Sequence, residues 1–194
     1  MGLNEIVDVW KGALLSPQKT FKEVRKKASL KTAFVWVAVV GAFMSIALTS
    51  AWFLTIPKLS AETVLFLLTF GTIVCVMFLA AVFAATSGFF YVFSKLFGGK
   101  GTYVEQTFFL VAVLMPLSVL YIAVYFAVLV FQPSVPPVFG QAVSLIFTLF
   151  EAYFIFSAVK AVHRFKTGTA LAASMMPFML LYLFANFIVL PFFS

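Results

Sequence analysis

Glu151 is the residue with the most chemical promise in this sequence. It is the only acid set deep inside a hydrophobic run, near the middle of VFGQAVSLIFTLFEAYFIFSAVKAVHRFK, residues 138–166. On a helix, its neighbours at −7, −3 and +7 are Ser144, Thr148 and Ala158. The carboxyl therefore lies on a stripe of small residues, bordered by Phe147 and Phe154. An ionised, unpaired acid at mid-membrane costs several kcal/mol, roughly 3 on insertion scales. The one basic residue inside the same run, Lys160, lies about 13 Å further along the axis, too far to pair. The carboxyl is accordingly expected to be neutral at pH 7 and hydrogen-bonded inside a bundle, with Ser118, Tyr121, Tyr182 and Asn186 as candidate partners. Two roles fit it, a proton or ion relay and a structural hydrogen bond. With no second ionisable group beside it, the structural role is favoured.

Other sets that could do chemistry are weaker. FGGKGT, residues 97–102, has glycines around a lysine, but Gly101 follows Lys100 where a phosphate loop needs Ser or Thr. His163 stands beside Arg164 with no second His, Cys or acid at ligand spacing, so an interfacial side chain is expected there. Cys75 is the single cysteine and sits in an apolar run, which excludes a disulfide framework. No catalytic residue, cofactor or metal site is expected.

The elements that must position these residues follow from composition. Of 194 residues, 64% are hydrophobic and 10% charged, with 27 Phe and a mean hydropathy of +1.14. A soluble domain carries about 25% charged residues, so most side-chain surface here must face lipid or other helices. The fold class expected is an all-α integral membrane bundle of five transmembrane helices, preceded by amphipathic interfacial helices. The runs are 32–54, 63–93, 104–131, 138–162 and 168–192; each meets the ~20 residues needed to cross a hydrocarbon core. Residues 32–194 thus form a membrane domain and residues 1–31 a basic amphipathic segment. Pro116, in the middle of the third run, is a candidate kink. Thr102 and Glu105 have the spacing of a capping box for that run. Ser16-Pro17 and Ser60 mark further helix starts.

Within residues 1–31, Leu3, Ile6, Val7, Trp10, Ala13 and Leu14 fall on one helical face, and Phe21, Val24 and Ala28 on one side of a second short helix. Two arrangements fit. Either Trp10 and Phe21 dip into the headgroup boundary, or the helices pack on the ends of the bundle. Lys19, Lys22, Arg25, Lys26, Lys27 and Lys31 are expected to attract an anionic leaflet. The net charge of +7 is explained by membrane orientation rather than by nucleic acid. With the N-terminus cytoplasmic, every Lys and Arg except Lys58 lies on the cytoplasmic side, so the positive-inside rule gives N-terminus in and C-terminus out. Small residues at i, i+4, i+8 mark helix-packing faces: Gly41, Ser45 and Thr49; Ala80, Ala84 and Gly88; Gly140, Ser144 and Thr148.

LLSPQKTFKEVR ahead of the first run, FGGKGTYVEQTFFLVAVLMP at the third, FEAYFIFSAVKAVHRFKTGTAL leading into the fifth, and the five-run layout together resemble the Ypt/Rab-interacting-protein (Yip) domain family. The resemblance covers nearly the whole chain. It implies a five-span bundle with a cytoplasmic N-terminus. For eukaryotic members it further implies Golgi or endoplasmic-reticulum membranes and engagement of small Rab GTPases and of one another. The short N-terminal segment makes the chain look like the prokaryotic form, for which a plasma membrane is expected. The function expected is a non-enzymatic scaffold or adaptor in membrane organisation or trafficking, associating with itself or other membrane proteins. The alternative is a small transporter or channel with a path near Glu151, which would require an oligomer.

Overall fold

In hydrocarbon, a backbone N–H or C=O has no water to pair with, so long apolar runs close their hydrogen bonds within themselves as helices. The computed structural model of the protein, which describes residues 3–55, 60–130 and 137–184, is built this way and has no strand among them. Two short helices, α1 (Leu3–Leu15) and α2 (Pro17–Val24), are followed by a 3-10 turn over Arg25–Lys27. Then come α3 (Leu30–Thr55), α4 (Ala61–Phe66), a π-helical turn (Leu67–Gly71) and α5 (Thr72–Leu96). The chain continues through α6 (Tyr103–Val130), α7 (Pro137–His163) and α8 (Thr167–Phe184). The described residues hold four helices long and apolar enough to cross a membrane: α3, the continuous helix from Ala61 to Leu96, α6 and α7. The fifth run is described as a shorter apolar helix; its end, with Asn186, lies outside the described residues, as do Lys58 and residues 131–136.

The helix ends obey local rules. Ser60 caps α4 by accepting the Thr63 N–H at 3.2 Å. Thr102 and Glu105 form the reciprocal box: Glu105 N–H donates to Thr102 Oγ1 at 3.3 Å, and Thr102 N–H to Glu105 Oε2 at 3.0 Å. Ser16 does not cap α2 with its hydroxyl; Pro17 begins that helix without needing a partner for a missing N–H. Helix α6 continues through Pro116, and α8 through a second proline, Pro177; both are buried among neighbouring helices.

Helix α6 is the axis of the bundle. Of its most apolar stretch, 61% is buried inside the protein, against 28% for α7 and none for the Ala61–Leu96 helix. It touches α3, α5, α7 and, at one end, α1. Phe108 to Val113 on α6 are all at most 1% exposed. The first small-residue face does what its spacing promised. A Cβ placed on Gly41 of α3 would lie 2.9 Å from Val76 Cγ2 and 3.1 Å from Val76 Cα, so only glycine lets α3 and α5 approach so closely there. Ser45 and Thr49 are buried on the same face, and Ser45 Oγ shares a hydrogen bond of 3.0 Å with Thr72 Oγ1 beside the π-helical turn. The third face is open at one end among the described residues: a Cβ on Gly140 would meet nothing within 4 Å and Ser144 is exposed.

The N-terminal helices dock on the bundle. Phe21 is 1% exposed and stacks on Phe109 of α6, ring centroids 4.5 Å apart. Trp10 meets Trp36 of α3 edge to face at 6.0 Å, and Trp36 in turn lies against Phe108 at 5.1 Å. Phe21 therefore does not dip into the headgroups. Outside the apolar spans its burial is driven by water, at about 1.5–3 kcal/mol for a side chain of this size, whereas burial against another helix within lipid has no such drive. At the α1–α2 corner, a Cβ on Gly12 would collide with the Thr20 side chain.

Candidate functional site

Most of the specific polar contacts gather at the basic end of the bundle, where the Phe97–Thr102 loop, the start of α6, the end of α7 and the α2 turn converge. The loop is shaped by its glycines. Gly98, at φ +80, ends α5 in a Schellman motif, with Gly98 N–H on Lys95 O at 2.9 Å and Gly99 N–H on Ser94 O at 2.8 Å. A Cβ on Gly99 would lie 2.7 Å from Ser94 O, and one on Gly101 would lie 2.8 Å from Val162 O. The glycines thus allow the loop backbone to lie directly against the last turn of α7. FGGKGT is a packing loop.

His163 occupies the space so created. It is 1% exposed, with Phe165 stacked at 5.5 Å and Tyr91 at 6.1 Å. Gly101 N–H donates to His163 Nδ1 at 3.2 Å. The ring's hydrogen must then sit on Nε2, which donates to Gln106 Oε1 at 2.8 Å. The expectation of an interfacial side chain is corrected: His163 is a neutral, fully buried clamp joining the α5–α6 loop, α6 and α7. Gln106 Nε2 is left buried without a partner among the described residues.

Beside it, Arg25 reaches across from the turn after α2. Its Nε is 2.5 Å from Glu105 Oε1, its Nη2 2.9 Å from Glu105 Oε2, and Nη2 also approaches Val162 O at 3.4 Å. The pair is fork-on-fork and partly buried, the favourable geometry for a guanidinium and a carboxylate. The hydrogen-bonded Glu105 carboxylate raises the Arg25 guanidinium above its ordinary value, outweighing the opposing effect of partial burial. Glu105 therefore caps α6 and holds the N-terminal segment at once. This corrects the placing of Arg25 among the lipid-facing cations: it is engaged inside the protein. Lys27 pairs with Glu5 at the surface, while Lys19, Lys22, Lys26 and Lys31 are exposed.

Glu151 lies elsewhere, part-way along α7. It borders a cavity of about 390 Å³ between α5, α6, α7 and α8, whose polar lining is Thr86, Ser118, Thr148 and Glu151 itself. Thr148 and Ser118 thus share its surroundings. Ser144 does not: it lines a separate groove with Tyr121, Tyr125 and Gln141. Tyr121 packs on Phe147 at 5.0 Å. The Ser118 hydroxyl donates to Leu114 O at 2.8 Å and that of Thr148 to Ser144 O at 2.9 Å. Glu151 makes no hydrogen bond or ion pair among the described residues. The Tyr182 side chain and Asn186, two of its expected partners, fall outside those residues. No group of three or more His, Cys, Asp or Glu side chains that could hold a metal ion occurs among the described residues.

Fold and sites together define a helical integral membrane protein whose amphipathic N-terminal segment is docked on one end of its bundle. Within that class the chain belongs to the Yip1 domain family, whose model matches residues 11–188. Among curated proteins and among solved structures nothing matches the chain.

Proposed function

We propose that this Yip1-family protein is a non-enzymatic membrane scaffold or adaptor, with five spans, a cytoplasmic N-terminus and a C-terminus on the outer or lumenal side. Its docked basic end faces an anionic leaflet. The observation that carries this reading is the docked cap. Phe21 and Arg25 fasten α1 and α2 to α6, leaving Lys19, Lys22, Lys26 and Lys31 turned outward as a rigid basic surface. Each such cation near an anionic surface contributes about 1 kcal/mol. The orientation is supported by the company these lysines keep, since Lys95, Lys100, Lys160 and Arg164 flank the same junction of loop, α6 and α7. A scaffold also needs surface for other proteins, and the Ala61–Leu96 helix, with its outer side unburied, supplies it. The partners that fit are second copies of the chain and other membrane proteins; a small GTPase is the soluble partner that family membership adds.

Amine-reactive crosslinking of the protein in its own membrane, read by mass spectrometry, tests this. The expected result is discrete adducts with itself or with membrane proteins through Lys19, Lys22, Lys26 or Lys31, modified only by reagent on the cytoplasmic side. A strictly monomeric chain without adducts, or one whose N-terminal lysines react from the outer side, contradicts it.

A further inference from the structure

We propose that the cavity bordered by Glu151 is a binding site for a lipophilic primary amine, taken up from the bilayer and held as an ammonium–carboxylate pair. The proposal is independent of the scaffold reading. Its basis is the balance of donors and acceptors in the cavity. The hydroxyl protons of Ser118 and Thr148 are committed to carbonyls of their own helices, at 2.8 and 2.9 Å. What those side chains offer the cavity is lone pairs. Glu151, unpaired among the described residues, adds a carbonyl oxygen and, once its proton is given up, a second acceptor oxygen. With Thr86 the one other polar group, acceptors outnumber donors once the carboxyl is ionised, and the complementary head group is one with several N–H donors. An ammonium has three.

The remaining walls are apolar, Phe83 and Phe178 among them, which suits an alkyl tail. At about 390 Å³ the cavity falls in the ~300–1,000 Å³ range of small-molecule sites. Val82, on its rim, is 40% exposed on the outer surface of the bundle, so the opening faces lipid rather than either water phase. An amine crosses lipid as the free base. Inside the cavity its nitrogen lone pair takes the proton of the neutral Glu151 carboxyl: the O–H bond breaks, an N–H bond forms, and charge is conserved. The resulting pair removes the cost of an isolated carboxylate in hydrocarbon. A metal cation is a poorer match, since hard cations need about six oxygen ligands and most of this lining is carbon.

The test uses the full chain in nanodiscs, with n-decylamine and n-decanol as probes and the thermal unfolding midpoint as readout. Decylamine is expected to raise the midpoint saturably, at concentrations at least tenfold lower than decanol. Glu151→Gln is expected to remove that advantage while leaving the decanol response unchanged. Ser118→Leu keeps the carboxyl but fills the cavity and is also expected to abolish the decylamine shift, so the proposal stays testable if the first variant does not fold. Equal responses to amine and alcohol in the unmodified protein overturn it, as does a decylamine shift that survives either substitution.

Discussion

His163 shows how much a single buried ring can hold together here. It accepts from the Gly101 N–H and donates to Gln106 Oε1 while 1% exposed, so its loss strands two buried polar groups that water cannot reach. Each stranded group costs about 1–3 kcal/mol. His163→Phe keeps a ring of similar shape and removes only the hydrogen bonds. It is expected to destabilise the protein by about 2–4 kcal/mol, read as a lower thermal midpoint in detergent, with the helix content before melting unchanged. The sequence shows His163 but not its buried role, because its partners stand 62 and 57 positions away and histidine next to arginine at a span end is ordinary. The usable signal lay in the loop: alternate glycines at 99 and 101 imply a backbone pressed against something. Glu151 was the opposite case. It stands out at once as one acid in an apolar run, yet its surroundings were only half legible. Thr148 and Ser118 share its cavity, and Ser144 does not, since the cavity is formed by four helices whose rotations no single helical stripe specifies.

At the scale of elements, the sequence was most informative where the rule is local. The extents of α3, α6 and α7, the Ser60 cap and the Thr102–Glu105 box were all readable, because apolar length and capping chemistry act within a few residues. Helix packing was less so. Small-residue spacing marked the face at Gly41, where α3 meets α5, but also marked Gly140, where a Cβ would meet nothing within 4 Å among the described residues; the pattern permits close approach without saying which partner, or whether one, is present. The end of α7 carries a local conflict. Arg164 takes φ 56 so that Phe165 N–H can reach Lys160 O at 3.2 Å, a left-handed position that costs a residue with a Cβ roughly 1 kcal/mol. The Arg164 side chain is exposed, so Arg164→Gly is expected to relieve the strain. It should raise the unfolding free energy by up to about 1 kcal/mol, seen as a higher thermal midpoint. A lower midpoint would mean that the guanidinium makes a contact worth more than the strain.

For the whole molecule, the centre of organisation is α6. Helix α7 holds the intramembrane acid and leads into the basic turn, but it packs against α6, α8 and α2 with only 28% of its most apolar stretch buried. Helix α6 carries the core, and its first turns receive the N-terminal segment through Glu105 and Phe109. Amphipathic periodicity could say that α1 and α2 each had an apolar face, and no more. Lipid and protein are equally good apolar partners for such a face, and the pairing of Arg25 with Glu105, 80 positions apart, is a tertiary fact. The shaped basic surface depends on that docking, since a segment lying loose on the membrane would be an electrostatic anchor only. Hydrogen–deuterium exchange of residues 17–27 in nanodiscs, for the unmodified protein and for Glu105→Ala and Phe109→Ala, measures it directly. Docking predicts slow exchange that rises at least tenfold in both variants. Protection that is the same in all three proteins would place the helix on the lipid surface and contradict the account.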